Sequence, residues 1–598
     1  MSRRLLPLLL LLLAALVPWL GLSTYTQRLV NLGLVFSLLA ISLNLLLGYA
    51  GQISLGHAGF FGIGAYTAAL LAEGGSGLLF WPGLLLAGLV TGLAGLAIGL
   101  PTLRLRGHYL ALATLGFGEI MRLLFFNWRE VTRGMDGISG IPAPALPGFA
   151  FDTEARLFGL AAVLVALVLL LVRRLDGSKY GRWLAAIRDA ELAAGTCGVN
   201  VPRLKLGVFM GSAALAGAAG ALYAHMMTFI SPDTFGFEVT AQVLSMVVVG
   251  GIGTVAGPVL GAFLLTFLPE WLRVSNAYYQ LIYGAGLALM IVFLPAGLWG
   301  LVRSKLRRAA PALLVEPPSL AGLPAEIGAA PADSALLDAR GVTRRFGGLV
   351  AVDGLDLTVQ AGSIHALIGP NGSGKSTFIN LASGLYGLSG GSISFAGRPV
   401  GGARPWAIAQ AGLARSFQNL RLFGSLTVEQ NVLVACRAAH PAGLVRVLLA
   451  SATARAEEAA LRAAAAEAMQ ALGVWPLRDR VVKTLPHEQQ RMVEIARALA
   501  MRPRLLMLDE PAAGMNPSEA DQLVTRIRAL RDRGITILLV EHNMPLVMRL
   551  ADRITVLNFG RKVAEGTPAE IRSNPAVIEA YLGRRHLKQM TADAAAAG

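Results

Sequence analysis

Cysteine is nearly absent: there are two among 598 residues, Cys197 and Cys436. Two cysteines are too few for a zinc ribbon or a disulfide-stapled fold, and both fall in segments expected in the cytosol, where a disulfide is not expected. Charge is scarce as well. Only 15% of the residues are Asp, Glu, Lys or Arg, against about 25% in ordinary soluble domains. Acids are the rarer sign, 36 against 52 basic residues, for a net charge of +16. A basic excess can mark nucleic-acid binding, but no aromatic-rich RNA motif accompanies it. The basic residues instead flank apolar runs: Arg3 and Arg4, Arg104 and Arg106, Arg173 to Lys205, and Arg303 to Arg308. That placement follows the positive-inside rule of membrane proteins.

What fills the chain is hydrophobic residue, 55% of the total. Before residue 303, long stretches carry no charge: 5–27, 29–72, 74–103, 157–172, 206–232, 239–269 and 274–302. A helix needs about 20 apolar residues to cross a bilayer, so 29–72 suffices for two passes. Residues 1–302 are therefore expected to form a polytopic all-α transmembrane domain of roughly eight to ten helices. The first run, after Arg3 and Arg4, reads as a retained anchor rather than a cleaved signal, because its only small-x-small site is Gly21 and Ser23. Residues 303–335, rich in Ala and Pro, read as a semi-flexible linker.

From about residue 336 the pattern is that of a soluble α/β domain. "LLDARGVTRRF" and "GLDLTVQAGSIHALIG" are strand-like, and "KSTFINLASGL" and "ADQLVTRIRALRDRG" helix-like. "RLLMLDE" and "TILLVEH" have the uninterrupted apolar character of strands buried in a parallel sheet. Residues 369–377, Gly-Pro-Asn-Gly-Ser-Gly-Lys-Ser-Thr, satisfy G-x-x-x-x-G-K-[ST] between a strand and a helix. Gly369, Asn371, Gly372 and Gly374 let backbone N–H groups curl around phosphates at a helix N-terminus, which Thr377 continues. Lys375 reaches the terminal phosphates of ATP, and the Ser376 hydroxyl ligates Mg²⁺. "RLLMLDEP" ends a strand in two carboxylates: Asp509 is expected in the Mg²⁺ shell, and Glu510 beside the attacking water as general base.

The series formed by this phosphate loop, "ARSFQNLRLF" (414–423), "LPHEQQRMVEIARAL" (485–499), "LLMLDEPAAGMNP" (505–517) and "ILLVEHNM" (537–544) resembles the ATPase domain of ABC transporters over about 336–583. "RRFGGLVAV" and "EPAAGMNP" resemble in particular the ATPase subunit of branched-chain amino acid importers. The resemblance implies an ABC-type nucleotide-binding domain with a helical subdomain, followed by a tail, 584–598. It implies that Phe346 stacks on adenine, that Gln418 senses the γ-phosphate beside the metal, and that His542 is the switch histidine. It also places a nucleotide-contacting signature at Leu485, Pro486, His487, Glu488 and Gln489. Here the sequence departs from the family, which has Leu-Ser-Gly-Gly-Gln; Glu488 stands where the second glycine meets the opposing γ-phosphate. A carboxylate about 4 Å from a phosphate charge costs about 4 kcal/mol at an effective dielectric near 20. Such a site is expected to hydrolyse ATP slowly or not at all.

The N-terminal half is rich in glycine at 44–71 and again at 247–263, which fits close helix packing or broken helices at a midplane site. His57 reads as a hydrogen-bonded packing residue, and Glu119 with Arg122 as an i,i+3 ion pair that is structural or lies on the transport path, the structural role being favoured. Together with "GMDGISGIP" (134–142), these segments resemble the permease subunit of the same importers over about 25–302. The basic loop 173–205 is placed in the cytosol, and "GRWLAAIRDAELAAGTCGVN" within it resembles the helix that docks on the ATPase. The resemblance implies a fused permease–ATPase half-transporter in the cytoplasmic membrane. It implies a second permease, a second ATPase and a solute-binding protein as partners, with a heteromer favoured over a homodimer and no nucleic acid. The cargo is expected to be leucine, isoleucine or valine. Urea, short amides or aromatic acids, or a regulatory ATP-gated protein with impaired turnover, remain alternatives.

Overall fold

Thr24–Asn44 (α1) opens a series of apolar helices and runs into a π-helical turn, Leu45–Tyr49. It belongs to a computed structural model that describes residues 21, 23–102, 105, 107–272, 279–294, 296–306, 334–438 and 441–581. Arg3, Arg4, Arg104 and Arg106, most of the 303–335 linker and the 584–598 tail lie outside the described residues. The chain divides into two units, residues 1–184 with 202–311 and residues 185–201 with 312–598.

The first unit is helical. After α1 come His57–Ala72 (α2), Phe80–Thr102 (α3), His108–Asn127 (α4), Glu154–Asp176 (α5), Lys179–Thr196 (α6) and Val201–Met227 (α7). Phe237–Gly250 (α8), Gly257–Leu272 (α9), Tyr279–Phe293 (α10) and Gly297–Leu306 (α11) complete it. Among the described residues, five helices are long and apolar enough to cross a membrane, and α2, α8 and α9 are shorter apolar helices. The uncharged stretch 29–72 thus yields one long helix and one short one, separated by an irregular segment at 51–56. The stretch 239–269 likewise divides, between α8 and α9.

Glycine sets the helix spacing. A Cβ at Gly64 on α2 would overlap the backbone of Gly217 on α7, and one at Gly220 would overlap Phe61. In lipid, where apolar burial gives little drive, such backbone contact supplies the packing energy. Asn44 ties the two helix breaks together: its Nδ2 donates to Thr254 O at 2.9 Å and its Oδ1 accepts from Gly253 N at 2.8 Å. His57 is buried between Ser54 Oγ at 3.3 Å and Ser212 Oγ at 3.1 Å, a fully engaged packing position.

The second unit carries two sheets. Ala335–Phe346 (β1), Leu349–Gln360 (β2), Gly390–Phe395 (β4) and Arg398–Pro399 (β5) form an antiparallel sheet in the order β2-β1-β4-β5. The other sheet contains Ile364–Ile368 (β3), Leu413–Arg415 (β6), Leu505–Asp509 (β7), Thr536–Val540 (β8), Arg553–Asn558 (β9) and Arg561–Gly566 (β10). Its order is β6-β7-β8-β3-β9-β10, parallel except for the last pair. The single strand-like run 354–369 proves to be two strands, because Gly362 takes a left-handed φ of 72° between them. β3, β7 and β8 are buried at every residue, the burial expected of central parallel strands. Lys375–Ala382 (α12) follows β3, and Val428–Ala435 (α13), Ala452–Ala471 (α14) and His487–Leu499 (α15) lie between β6 and β7.

Residues 185–201 cluster with this unit. Ala190 interrupts α6 with φ −155° and ψ 83°. Around it, Asp189 Oδ2 accepts from Ser425 N at 2.7 Å, Arg188 Nη2 donates to Ser425 Oγ at 2.8 Å, and Gln410 Nε2 donates to Gly198 O at 3.2 Å.

Candidate nucleotide site

The carboxyl ends of parallel strands gather the candidate residues, as expected where a ligand binds outside an open α/β sheet. β3 feeds the loop 369–374 into α12, β7 ends at Asp509, β8 leads to His542, and β6 leads to Gln418. Gly374 takes φ 101° at the entry to α12, and a Cβ there would press on Ala351 O. The loop backbone therefore requires glycine at this position. Lys375 Nζ lies inside the loop, donating to Gly369 O at 2.8 Å and Pro370 O at 2.9 Å. Burial pulls its pKa down from the ordinary value, and Glu510 and Asp509 partly oppose that.

Glu510 adopts φ 48°, left-handed backbone that is uncommon for a residue with a side chain. Its N–H donates to Val540 O at 2.8 Å, which holds that turn. The carboxylate is thereby aimed at two partners: Gln418 Nε2 donates to Oε2 at 3.2 Å, and His542 Nδ1 lies 3.8 Å from the same oxygen. Asp509 is buried; its N–H donates to Ser416 Oγ at 3.0 Å, and Arg415 lies 4.0 Å from its Oδ2. Burial raises its pKa to about 6. Its Oδ1 is buried without a hydrogen-bond partner among the described residues. An orphaned buried carboxylate oxygen fits a hard divalent cation such as Mg²⁺, for which Asp509 and the Ser376 hydroxyl are of the right donor chemistry.

Phe346 ends β1, its exposed ring edge-on to Tyr386 at 5.3 Å with the Arg344 guanidinium 4.5 Å from its centroid. Asn371 and Gly372 sit at the exposed tip of the loop, and Ser376 and Thr377 in the first turn of α12. Pro486 caps α15, and His487, Glu488 and Gln489 form its first turn. Among the described residues, none of these four hydrogen-bonds to the phosphate loop of its own chain. Pro486, His487 and Glu488 are exposed instead.

Sequence reading passed over the polar cluster behind the signature. Arg491, Glu494 and Arg497 are almost wholly buried on one face of α15. Arg491 Nη1 lies 3.1 Å from Glu494 Oε2 and also donates to Phe417 O at 2.7 Å, while Nη2 donates to Gln418 O at 3.1 Å. Arg497 Nη1 donates to Arg421 O at 2.7 Å. The signature helix therefore grips the backbone of the segment that carries Gln418. The i,i+3 charge spacing in "RMVEIAR" was the available signal.

Comparison with known proteins agrees with this anatomy. The family described as "Branched-chain amino acid transport system / permease component" matches residues 25–294. That described as "ABC transporter" matches 352–513, and "Branched-chain amino acid ATP-binding cassette transporter" matches 561–586. The chain is 43% identical over 249 residues to the high-affinity branched-chain amino acid transport ATP-binding protein BraF of Pseudomonas aeruginosa, covering 42% of this chain and 98% of that one. It is 40% identical over 308 residues to the high-affinity branched-chain amino acid transport system permease protein LivM of Escherichia coli, covering 48% of this chain and 72% of that one. A crystal structure of a nucleotide-free ATP-binding cassette from an ABC transporter is 29% identical, with TM-score 0.37, covering 42% of this chain and 99% of that one.

Proposed function

We propose a function from one premise: this chain belongs to the family of branched-chain amino acid ABC transporters and joins their permease and ATP-binding parts in one polypeptide. It imports branched-chain amino acids across the cytoplasmic membrane, driven by ATP hydrolysis in its cytosolic domain. The observation that carries this reading is that a full-length cassette and a permease, each similar to its counterpart in one transport system, share the chain. ATP is the substrate of the cassette. Gly369, Asn371, Gly372, Gly374, Lys375 and Thr377 cradle its phosphates, and Phe346 stacks on adenine. Asp509, Ser376 and Gln418 hold Mg²⁺, which when bound neutralises charge on the transferring phosphoryl group. Glu510 takes the proton of the attacking water, while Gln418 and His542, both beside its Oε2, fix its orientation.

Pro486, His487 and Glu488 are exposed, and among the described residues none of the four signature residues bonds to its own phosphate loop, which supports two cassettes pairing so that each signature completes the other's site. Residues 185–201 are the coupling element: Asp189 and Arg188 hold Ser425, seven residues past Gln418. Closure of the cassettes around ATP is thereby transmitted to the permease. A second permease, a second ATPase and a solute-binding protein complete the complex, and a heteromer accommodates Glu488 by leaving consensus chemistry to the partner cassette. The test is uptake by the complex reconstituted with its binding protein in proteoliposomes. ATP-dependent accumulation of labelled leucine, isoleucine or valine supports the reading. Accumulation of urea, amides or aromatic acids instead reassigns the cargo, and nucleotide binding without uptake of any solute favours a regulatory protein.

A further inference from the structure

We propose that Glu119 and Arg122 are the head-group site for a zwitterionic α-amino acid on the transport path, Arg122 taking the carboxylate and Glu119 the ammonium. This rests on the import reading above. Both residues stand on α4, whose successor α5 ends in Arg173 and Arg174 at the basic cytosolic loop. α4 therefore starts on the cytosolic side, and Glu119 lies about 16 Å along its axis from His108. That is close to halfway through a hydrocarbon layer about 30 Å thick.

Arg122 Nε donates to Glu119 Oε1 at 3.1 Å and Oε2 at 3.2 Å, and Nη2 donates to Oε1 at 2.6 Å. The side chains are nevertheless 30% and 46% exposed. The same face of α4 exposes Leu112, Gly116, Ile120 and Leu123. Charges at this depth are not left against lipid; they border protein or a water-filled path. Elsewhere in this unit Asn44 is engaged by Gly253 and Thr254, and His57 by Ser54 and Ser212. The pair on α4 is charged and accessible, and so able to exchange partners.

Its chemistry matches a zwitterion charge for charge. Arg122 already holds a carboxylate by its fork, and a ligand carboxylate can take that place. Glu119, released, is left with a single negative charge that a ligand ammonium neutralises. No net charge is introduced into the membrane at any point in the exchange. Gly116 leaves room along the face, and the exposed Leu112 and Ile120 suit an aliphatic side chain.

A merely structural ion pair predicts a different mutant pattern. Either single neutral variant, Glu119→Gln or Arg122→Gln, strands a charge on both accounts, and labelled leucine uptake by the full reconstituted complex should fall about tenfold or more. The double variant Glu119→Gln/Arg122→Gln strands none, so it assembles, as copurification of the subunits reports. It should still fail to take up leucine if the charges hold the amino acid. Uptake by the double variant near that of the unmodified complex overturns this site, as does full uptake by either single variant. The unmodified complex is the control for the import reading: if it accumulates none of leucine, isoleucine and valine, that reading falls, and this site with it.

Discussion

At the scale of single residues, Glu510 makes the sharpest demand. Its left-handed backbone and its two partners, Gln418 and His542, fix one carboxylate oxygen, and the proposed role of that oxygen is to take the proton of the attacking water. Glu510→Gln keeps the shape and removes the basicity. Hydrolysis should fall by about 10² to 10⁴, while ATP binding, followed by a fluorescent nucleotide, persists; a variant that hydrolyses normally removes Glu510 from the chemistry. His365 tests the fold at the same scale. It is buried in β3 with its Nε2 2.8 Å from Thr555 Oγ1, and burial lowers its pKa from 6.5 to about 4. Between those two values the unfolded chain accepts a proton that the folded domain refuses. Stability therefore falls as pH drops from 6.5 to 4, by at most about 3 kcal/mol from this group. Denaturation measured across that window should show a shallower slope for His365→Gln than for the unmodified protein.

At the scale of elements, the N-terminus of α15 and the contact of α2 with α7 carry separate predictions. A helix N-terminus favours an anion, and Glu488 supplies one from the protein itself, in the turn proposed to meet the opposing γ-phosphate. Glu488→Gly should raise the ATPase rate of the assembled transporter; an unchanged rate means that this carboxylate does not impede the composite site. Gly64→Leu would drive a side chain into the backbone of Gly217, and the expected result is loss of folded protein in a detergent-solubilised size-exclusion profile. The phosphate loop, β7 and β8 were legible in the sequence because their apolar runs end in chemically specific residues. The short helices α2, α8 and α9 were not. The length of 29–72 allowed two passes and the glycines allowed breaks, but composition does not show at which residue the backbone breaks, so the bounds of the pieces within 29–72 and 239–269 were not readable. The buried Arg491, Glu494 and Arg497 were missed for a related reason: charge on a helix usually marks a solvated face, and only packing shows that this face is inside.

At the scale of the molecule, two lipid- and water-adapted parts occupy one chain, and the division was readable from the change in composition near residue 303. The counterpart on the far side of each composite site was readable only as an implication, because a surface that awaits a partner looks like any other polar surface in one sequence. Coupling is the claim on which the whole account stands: nucleotide held at 369–377 does work on solute held by the helices of the first unit. Lys375→Ala removes the cation proposed to bind the terminal phosphates and leaves the permease untouched. The measurement is accumulation of labelled leucine against its gradient in proteoliposomes containing the complete complex, with ATP inside and binding protein outside in the orientation of the cell. The account predicts that the variant complex assembles and accumulates none where the unmodified complex does. Accumulation by Lys375→Ala at the unmodified rate would contradict it.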